Sequence, residues 1–139
     1  MIVIKKERKN KMELLPRGEY VIADPCYLIR DNWEDLLEKT KHFGKDTGNK
    51  SMVHTYRDWK LFVSTTKYGD GTYKATNGIL YNVDSGTIGC IPIELCDDYE
   101  LYSNPRECAR ESVSIFEEDF LCGYDNGTII INDIKIVTK

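Results

Sequence analysis

Three short stretches concentrate the side chains that could do chemistry: Asp24 to Tyr27 (DPCY), Tyr68 to Tyr73 (YGDGTY) and Val83 to Gly86 (VDSG). A carboxylate can act as acid, base or cation ligand. A tyrosine offers a flat ring with a polar tip, suited to stacking on a base or a protein surface. Glycine turns present backbone N–H groups that can hold an anion. All three stretches are polar and rich in turn formers, and none is needed for a core. Together they define a candidate ligand face of Asp24, Cys26, Tyr27, Tyr68, Asp70, Tyr73, Asp84 and Ser85. Its aspartates repel phosphate unless they meet ribose hydroxyls, base amines or a cation.

The same residues admit a second chemistry. If Asp24, Asp70 and Asp84 converge, they form a carboxylate-dependent hydrolase site, with one carboxyl raised in pKa or the three sharing Mg²⁺. Other chemistries fit the spacing poorly. Ser85 follows Val83-Asp84, where a nucleophile elbow needs glycine two residues earlier and a helix after. The five cysteines contain no C-x-x-C pair and only His42 and His54 accompany them, so tetrahedral zinc is disfavoured. The calcium-loop pattern is missing, as are Walker, Rossmann and kinase signatures. No resident cofactor is expected, a divalent cation on the aspartates being the single exception.

Such a face must be carried by a scaffold. The chain has 139 residues, enough for a single domain over 1–139, and its 41% hydrophobic and 30% charged content reads as globular. An odd cysteine count argues against a disulfide framework. The N-terminus places three apolar residues before a basic run, the reverse of a secretory signal, and no apolar stretch approaches a membrane span. A cytoplasmic location with free thiols follows as the expectation. Residues 1–12 read as a mobile or edge segment, too short a basic run for a DNA-binding signature. Charge is uneven: residues 1–60 carry 13 Lys/Arg against 10 Asp/Glu, and residues 61–139 carry 6 against 13. Residues 94–119 hold nine acids against Arg106 and Arg110. They offer a further alternative, an acidic interaction surface for a basic partner.

The elements read as mainly β. Trp33, Leu36, Leu37 and Thr40 follow helical spacing, with Asp31 and Glu34 as a capping box, which predicts a helix over about 31–41. Asn104-Pro105 and Glu107 mark a short helix near 105–111. Strands are predicted over 19–23, 59–65, 79–83, 87–93, 119–124, 128–131 and 134–138, with Pro92 at a strand end or edge. Asp125-Asn126-Gly127 is a hairpin signal. The expected fold is an antiparallel twisted sheet or partial barrel of seven to eight strands with one packed helix, an α+β arrangement dominated by β.

The three stretches also carry a resemblance. Gly18 to Tyr27 (GEYVIADPCY) resembles the G-x-Y-x-I-G-D-P-C-Y opening of a family of small uncharacterised phage and bacterial proteins. Trp33, the YGDGTY turn and Val83 to Gly89 (VDSGTIG) follow in that family's order. A more distant likeness is to a domain-of-unknown-function family with a G-V-D-A-G-T-G turn. The resemblance spans about 18–93, extends to the closing hairpin, and departs at Ala23, where glycine is usual. It implies a phage or mobile-element origin and an accessory role, such as blocking a host enzyme or capturing a nucleotide signal in counter-defence. The expected protein is a non-catalytic binder of a small polar ligand or a host protein in the host cytosol, with a homo-oligomer left open.

Overall fold

The computed structural model describes residues 12–29, 32–40, 51–96 and 112–138. Among the described residues eleven strands occur in this order: β1 (Met12–Leu15), β2 (Gly18–Ala23), β3 (Ser51–Tyr56), β4 (Trp59–Thr65), β5 (Gly71–Lys74), β6 (Leu80–Val83), β7 (Thr87–Pro92), β8 (Ser112–Phe116), β9 (Phe120–Asp125), β10 (Thr128–Ile131) and β11 (Ile134–Val137). Two helices, α1 (Pro25–Leu28) and α2 (Trp33–Thr40), follow β2, and a 3-10 turn spans Ile93–Leu95. The strands form a five-stranded sheet ordered β3-β4-β7-β2-β8, a four-stranded sheet ordered β1-β9-β10-β11, and a β5-β6 ribbon. Every pairing is antiparallel. The mainly β expectation holds, and the sheets do not close into a barrel.

Period-two side-chain geometry makes the five-stranded sheet the middle layer. In β2, Tyr20 and Ile22 face one core while Val21 and Ala23 face another. In β4, Phe62 joins the first core, and Leu61 and Val63 join the second. The first core meets the four-stranded sheet through Leu15, Phe120, Cys122, Ile129, Ile131 and Ile136, and the ribbon through Tyr81 and Val83. The second is roofed by Leu28, Ile29 and Leu36. Burying each such side chain is worth roughly 1.5–3 kcal/mol, so the double-sided sheet supplies most of the fold's cohesion. β7 is buried along its whole length, and Pro92 is its last residue, where no further ladder bond is needed.

The strand count exceeds the expected seven to eight for identifiable reasons. β1 and β3 have mixed polarity, β5 begins within the Gly69-Asp70-Gly71 turn signal, and β8 (SVSIF) is an uncharged insert in an acidic stretch. The α2 helix is described over Trp33–Thr40, within the expected 31–41, and the Asp31 cap and Lys41 lie outside the described residues. So do residues 1–11, Cys108 and the helix expected near 105–111. Met12 opens β1, an edge strand of the four-stranded sheet. Cys90 and Cys122 are buried on strands, whereas Cys96 sits half-buried beyond the 3-10 turn.

Several hairpin turns use left-handed residues, and two of them differ in how the sequence provides for it. Asn126 (φ 50°) and Gly127 (φ 92°) join β9 to β10, as the Asn-Gly pair predicts. Between β3 and β4 the same role falls to Arg57 (φ 51°) and Asp58 (φ 70°), neither of them glycine. Arg57 gains compensation: its guanidinium lies 5.1 Å from the Tyr56 ring centroid and donates to Asn32 Oδ1 at 3.2 Å. Asp58 is exposed. Asp58→Gly is therefore expected to stabilise the protein by about 0.5–1 kcal/mol, because left-handed backbone is nearly free for glycine. A urea melt reads this directly, and an unchanged or lower midpoint would contradict it.

Candidate functional site

Sheet register brings two of the three stretches together. β2 and β7 are antiparallel neighbours with Ala23 opposite Gly89. The chain leaving β2 at Asp24 therefore arrives beside the chain entering β7 from Ser85. Ala23 pairs regularly as the last residue of β2.

Asp24 is fully buried and caps α1, with Pro25 following at the first helical turn. Its Oδ1 accepts from Cys26 N at 2.9 Å and from Ser85 Oγ at 2.7 Å. Its Oδ2 accepts from Asp84 N at 2.6 Å and Ser85 N at 2.7 Å. Four donors thus converge on one carboxylate, stapling the 24–28 segment to the 83–87 turn. The Tyr27 hydroxyl donates to Asp84 Oδ2 across the same junction. Ser85 Oγ also shares a hydrogen bond with Thr87 Oγ1 at 2.7 Å.

The third stretch closes on the other side. Thr66 N donates to Gly86 O at 3.1 Å, while Thr66 Oγ1 and the Tyr73 hydroxyl both donate to Gly69 O, at 2.6 and 2.9 Å. Gly86 (φ 77°) and Gly69 (φ 80°) are left-handed, the conformation that selects glycine in both turns. Asp70 Oδ1 lies 3.9 Å from where a Cβ on Gly86 would stand. All three stretches therefore meet.

They meet with unequal roles. Asp24 is an organiser with its oxygens occupied. Ser85 is tied to Asp24 and Thr87 in a strand-turn-strand setting, unlike a nucleophile elbow. Tyr73 braces the Gly69 turn. Asp70 and Asp84 face solvent, Tyr27 stands half-buried beside Asp84, and Tyr68 projects with 67% of its surface exposed. Tyr20 and Tyr81, which flank the stretches in sequence, are core residues instead: Tyr20 meets Phe116 and Phe120 edge-on, and Tyr81 is 0% exposed. Sequence reading missed Thr66 and Thr87. A threonine is a common strand residue, and only their burial at 3% and 0% marks these two as working hydroxyls.

Cys26 sits half-buried among the aspartates. Burial pushes its thiol well above its usual range, and Asp24, Asp84 and Asp70 push it further. Burial also raises Tyr27, reinforced by its bond to Asp84. Cys26 is therefore held as a thiol, the unreactive form. Iodoacetamide at pH 8 should alkylate it at least about tenfold more slowly than a free cysteine, since each unit of pKa removes tenfold of thiolate. Asp70→Asn/Asp84→Asn should speed the reaction. A native rate equal to that of a free thiol would refute the assignment.

Among the described residues, no three His, Cys, Asp or Glu side chains group closely enough to hold a metal ion. No described helix is long and apolar enough to cross a membrane. A separate surface cleft of about 130 Å³ lies between Arg17, Tyr20, Trp59, Lys60 and Glu94, and none of the three stretches lines it. Of the acidic stretch 94–119, residues 97–111 lie outside the described residues, while Glu117, Glu118 and Asp119 are exposed in the β8–β9 turn. Compared with protein-family models, curated proteins and solved structures, the chain matches none.

Proposed function

We propose that the protein is a non-catalytic binding protein that holds a small polar ligand on the face made by Tyr27, Asp70 and Asp84, with Tyr68 at its margin. The observation that carries this reading is the occupied carboxylate of Asp24. A buried group fully used in joining two turns preorganises the neighbouring side chains, which lowers the entropy cost of binding. It also leaves the hydrolase alternative with two solvent-facing carboxylates where it needs three. Asp70, Asp84 and the Tyr27 hydroxyl favour ligands that donate hydrogen bonds: base amines, ribose hydroxyls or an ammonium group. A nucleotide signal fits through its nucleoside part rather than its phosphates. The phage-type accessory role, including counter-defence in a host cytosol, belongs to this same proposal and rests on the resemblance of the three stretches.

Calorimetry against nucleosides, nucleotides and small amines tests the reading. Binding by at least one donor-rich class is expected, weakened about tenfold or more by Asp84→Asn, which removes a charge-assisted acceptor worth roughly 1.5–3 kcal/mol. Absence of binding across the panel would remove the small-ligand proposal.

A further inference from the structure

A sheet edge presents backbone N–H and C=O groups with no neighbouring strand, and folded chains cover or blunt such edges. Edges β1 and β3 meet: the Glu13 carboxylate of β1 accepts from Val53 N of β3. Edge β11 is closed by the end of the ribbon. Thr76 N donates to Lys135 O at 2.9 Å, Lys135 N donates to Thr76 Oγ1 at 3.0 Å, and Ala75 bridges to Ile136. β8 is different. It is the outer strand of the five-stranded sheet, and among the described residues it pairs with β2 alone. Its sequence, SVSIF, contains no charge, proline or glycine, so none of the usual devices blunts it. Val113 and Ile115 are 43% and 69% exposed. They share one face of the sheet, opposite Val21 and Glu19 of β2.

The strand is complementary to itself. Two copies that continue the sheet in antiparallel sense are related by a two-fold axis normal to it, so opposite residues point to the same face. The available registers are centred on Val113, Ser114 or Ile115. Centring on Val113 or on Ile115 leaves the other apolar residue without a partner inside the strand. Centring on Ser114 pairs all five residues and sets Val113 against Ile115 twice. The exposed acids Glu117 and Glu118 then fall beyond the paired span.

We infer that β8 is the self-association edge of this protein: two copies pair antiparallel through Ser112–Phe116 about Ser114, joining their five-stranded sheets into one of ten strands, five from each copy. Main-chain hydrogen bonds supply the attraction, as in other strand additions. The two Val113–Ile115 contacts fix the register, since cross-strand side-chain pairs are the stabilising unit of a sheet. Five strand residues a side is well below the roughly 20–30 of a standard stable interface. The dimer therefore belongs to the weak class that forms as concentration rises. This association does not depend on what the ligand face holds.

Sedimentation velocity of the full-length protein, from micromolar to millimolar concentration, tests the inference. A shift from monomer to dimer is expected across that range. Ile115→Lys puts a charge on the open edge and should weaken the dimer at least about tenfold. Because Ile115 is exposed, circular dichroism of the dilute variant should be unchanged. Ser114→Cys reads the register. Opposite Cα atoms of an antiparallel pair stand about 4.5–5.5 Å apart, a span that a disulfide bridges. With oxidised glutathione as oxidant, this variant should give a covalent dimer linked through position 114 of both copies, mapped by mass spectrometry. Val113→Cys, which faces the second copy's Ile115, should not cross-link to itself. A monomer over the whole range would overturn the association. An Ile115→Lys protein that dimerises as before would overturn its placement on β8, and equal cross-linking of the two cysteine variants would overturn the register.

Discussion

Asp24→Ala is expected to cost about 3–4 kcal/mol of stability, and Asp24→Asn about 2–3 kcal/mol. Alanine leaves three backbone N–H groups, those of Cys26, Asp84 and Ser85, without their acceptor inside the fold. The Ser85 hydroxyl can turn to Thr87 and is spared. Asparagine keeps the shape and exposes the electrostatics. Its NH₂ group in the Oδ2 position would face two N–H donors that cannot reverse. In the Oδ1 position it faces one N–H and a hydroxyl that can accept, so that orientation is the better one. Even then the Cys26 N–H is orphaned and the remaining bonds lose their charge assistance. Replacing a buried charge with an apolar group can be neutral when its partners are replaced too, but here the partners are backbone and remain. Urea melts give the magnitude. Hydrogen exchange gives the location: protection at the amides of Asp84 and Ser85 should fall first. An Asp24→Asn protein within about 0.5 kcal/mol of the original would mean that the four bonds do not organise the site.

Gly89→Val carries the second large effect, a loss of about 2–3 kcal/mol, the range for forcing extra carbons into a packed core. Gly89 lies in the fully buried β7, between Val63 of β4 and Ala23 of β2. A Cβ added there would stand 3.0 Å from Ile91 Cδ1 and 3.2 Å from the Phe62 carbonyl oxygen. The Ile91 side chain can rotate away, but the Phe62 carbonyl belongs to the neighbouring strand's backbone. Valine's two methyl groups extend the collision, so relief requires moving β4. Gly89→Ala should cost less, about 1 kcal/mol, because one methyl needs a shift of only a few tenths of an ångström and strand propensity improves. Since β7 carries the 83–87 turn at its start, Gly89→Val should also weaken ligand binding on the proposed face. Equal stability of the alanine and valine variants would show that the strand has room where the geometry denies it.

Much of the fold was legible because local spacing encodes it. Strand β4 was read at Trp59–Thr65, the bounds it has, and Asn126-Gly127 was read as the turn that it is. The strands that local spacing does not mark have physical reasons. In β3 and β8 the pairing partners, rather than the strand's own alternation, decide which side is buried, and β5 is a short exposed ribbon strand. Arg57-Asp58 escaped as a turn because its left-handed backbone is imposed by the β3–β4 ladder on residues that do not prefer it.

The candidate site divides along the same line. Residue types alone marked Asp24, Asp70, Asp84, Ser85 and the tyrosines as a possible ligand face, because short polar turns with carboxylates and aromatic rings have few structural duties. Roles within that face came from contacts between residues 60 and 61 positions apart in the chain. Those contacts depend on β2 lying beside β7 with Ala23 opposite Gly89, a register fixed by how both faces of the sheet bury their side chains. Composition therefore determined a β-rich chain with an uneven charge and a cluster of reactive-looking turns. Tertiary structure alone decided that Asp24 is spent as a staple, that Tyr20 and Tyr81 belong to the core, and that Asp70 and Asp84 remain facing solvent. The reason is physical: strand and turn preferences act over a few residues, whereas desolvation and hydrogen-bond satisfaction act between whichever residues the sheets bring together.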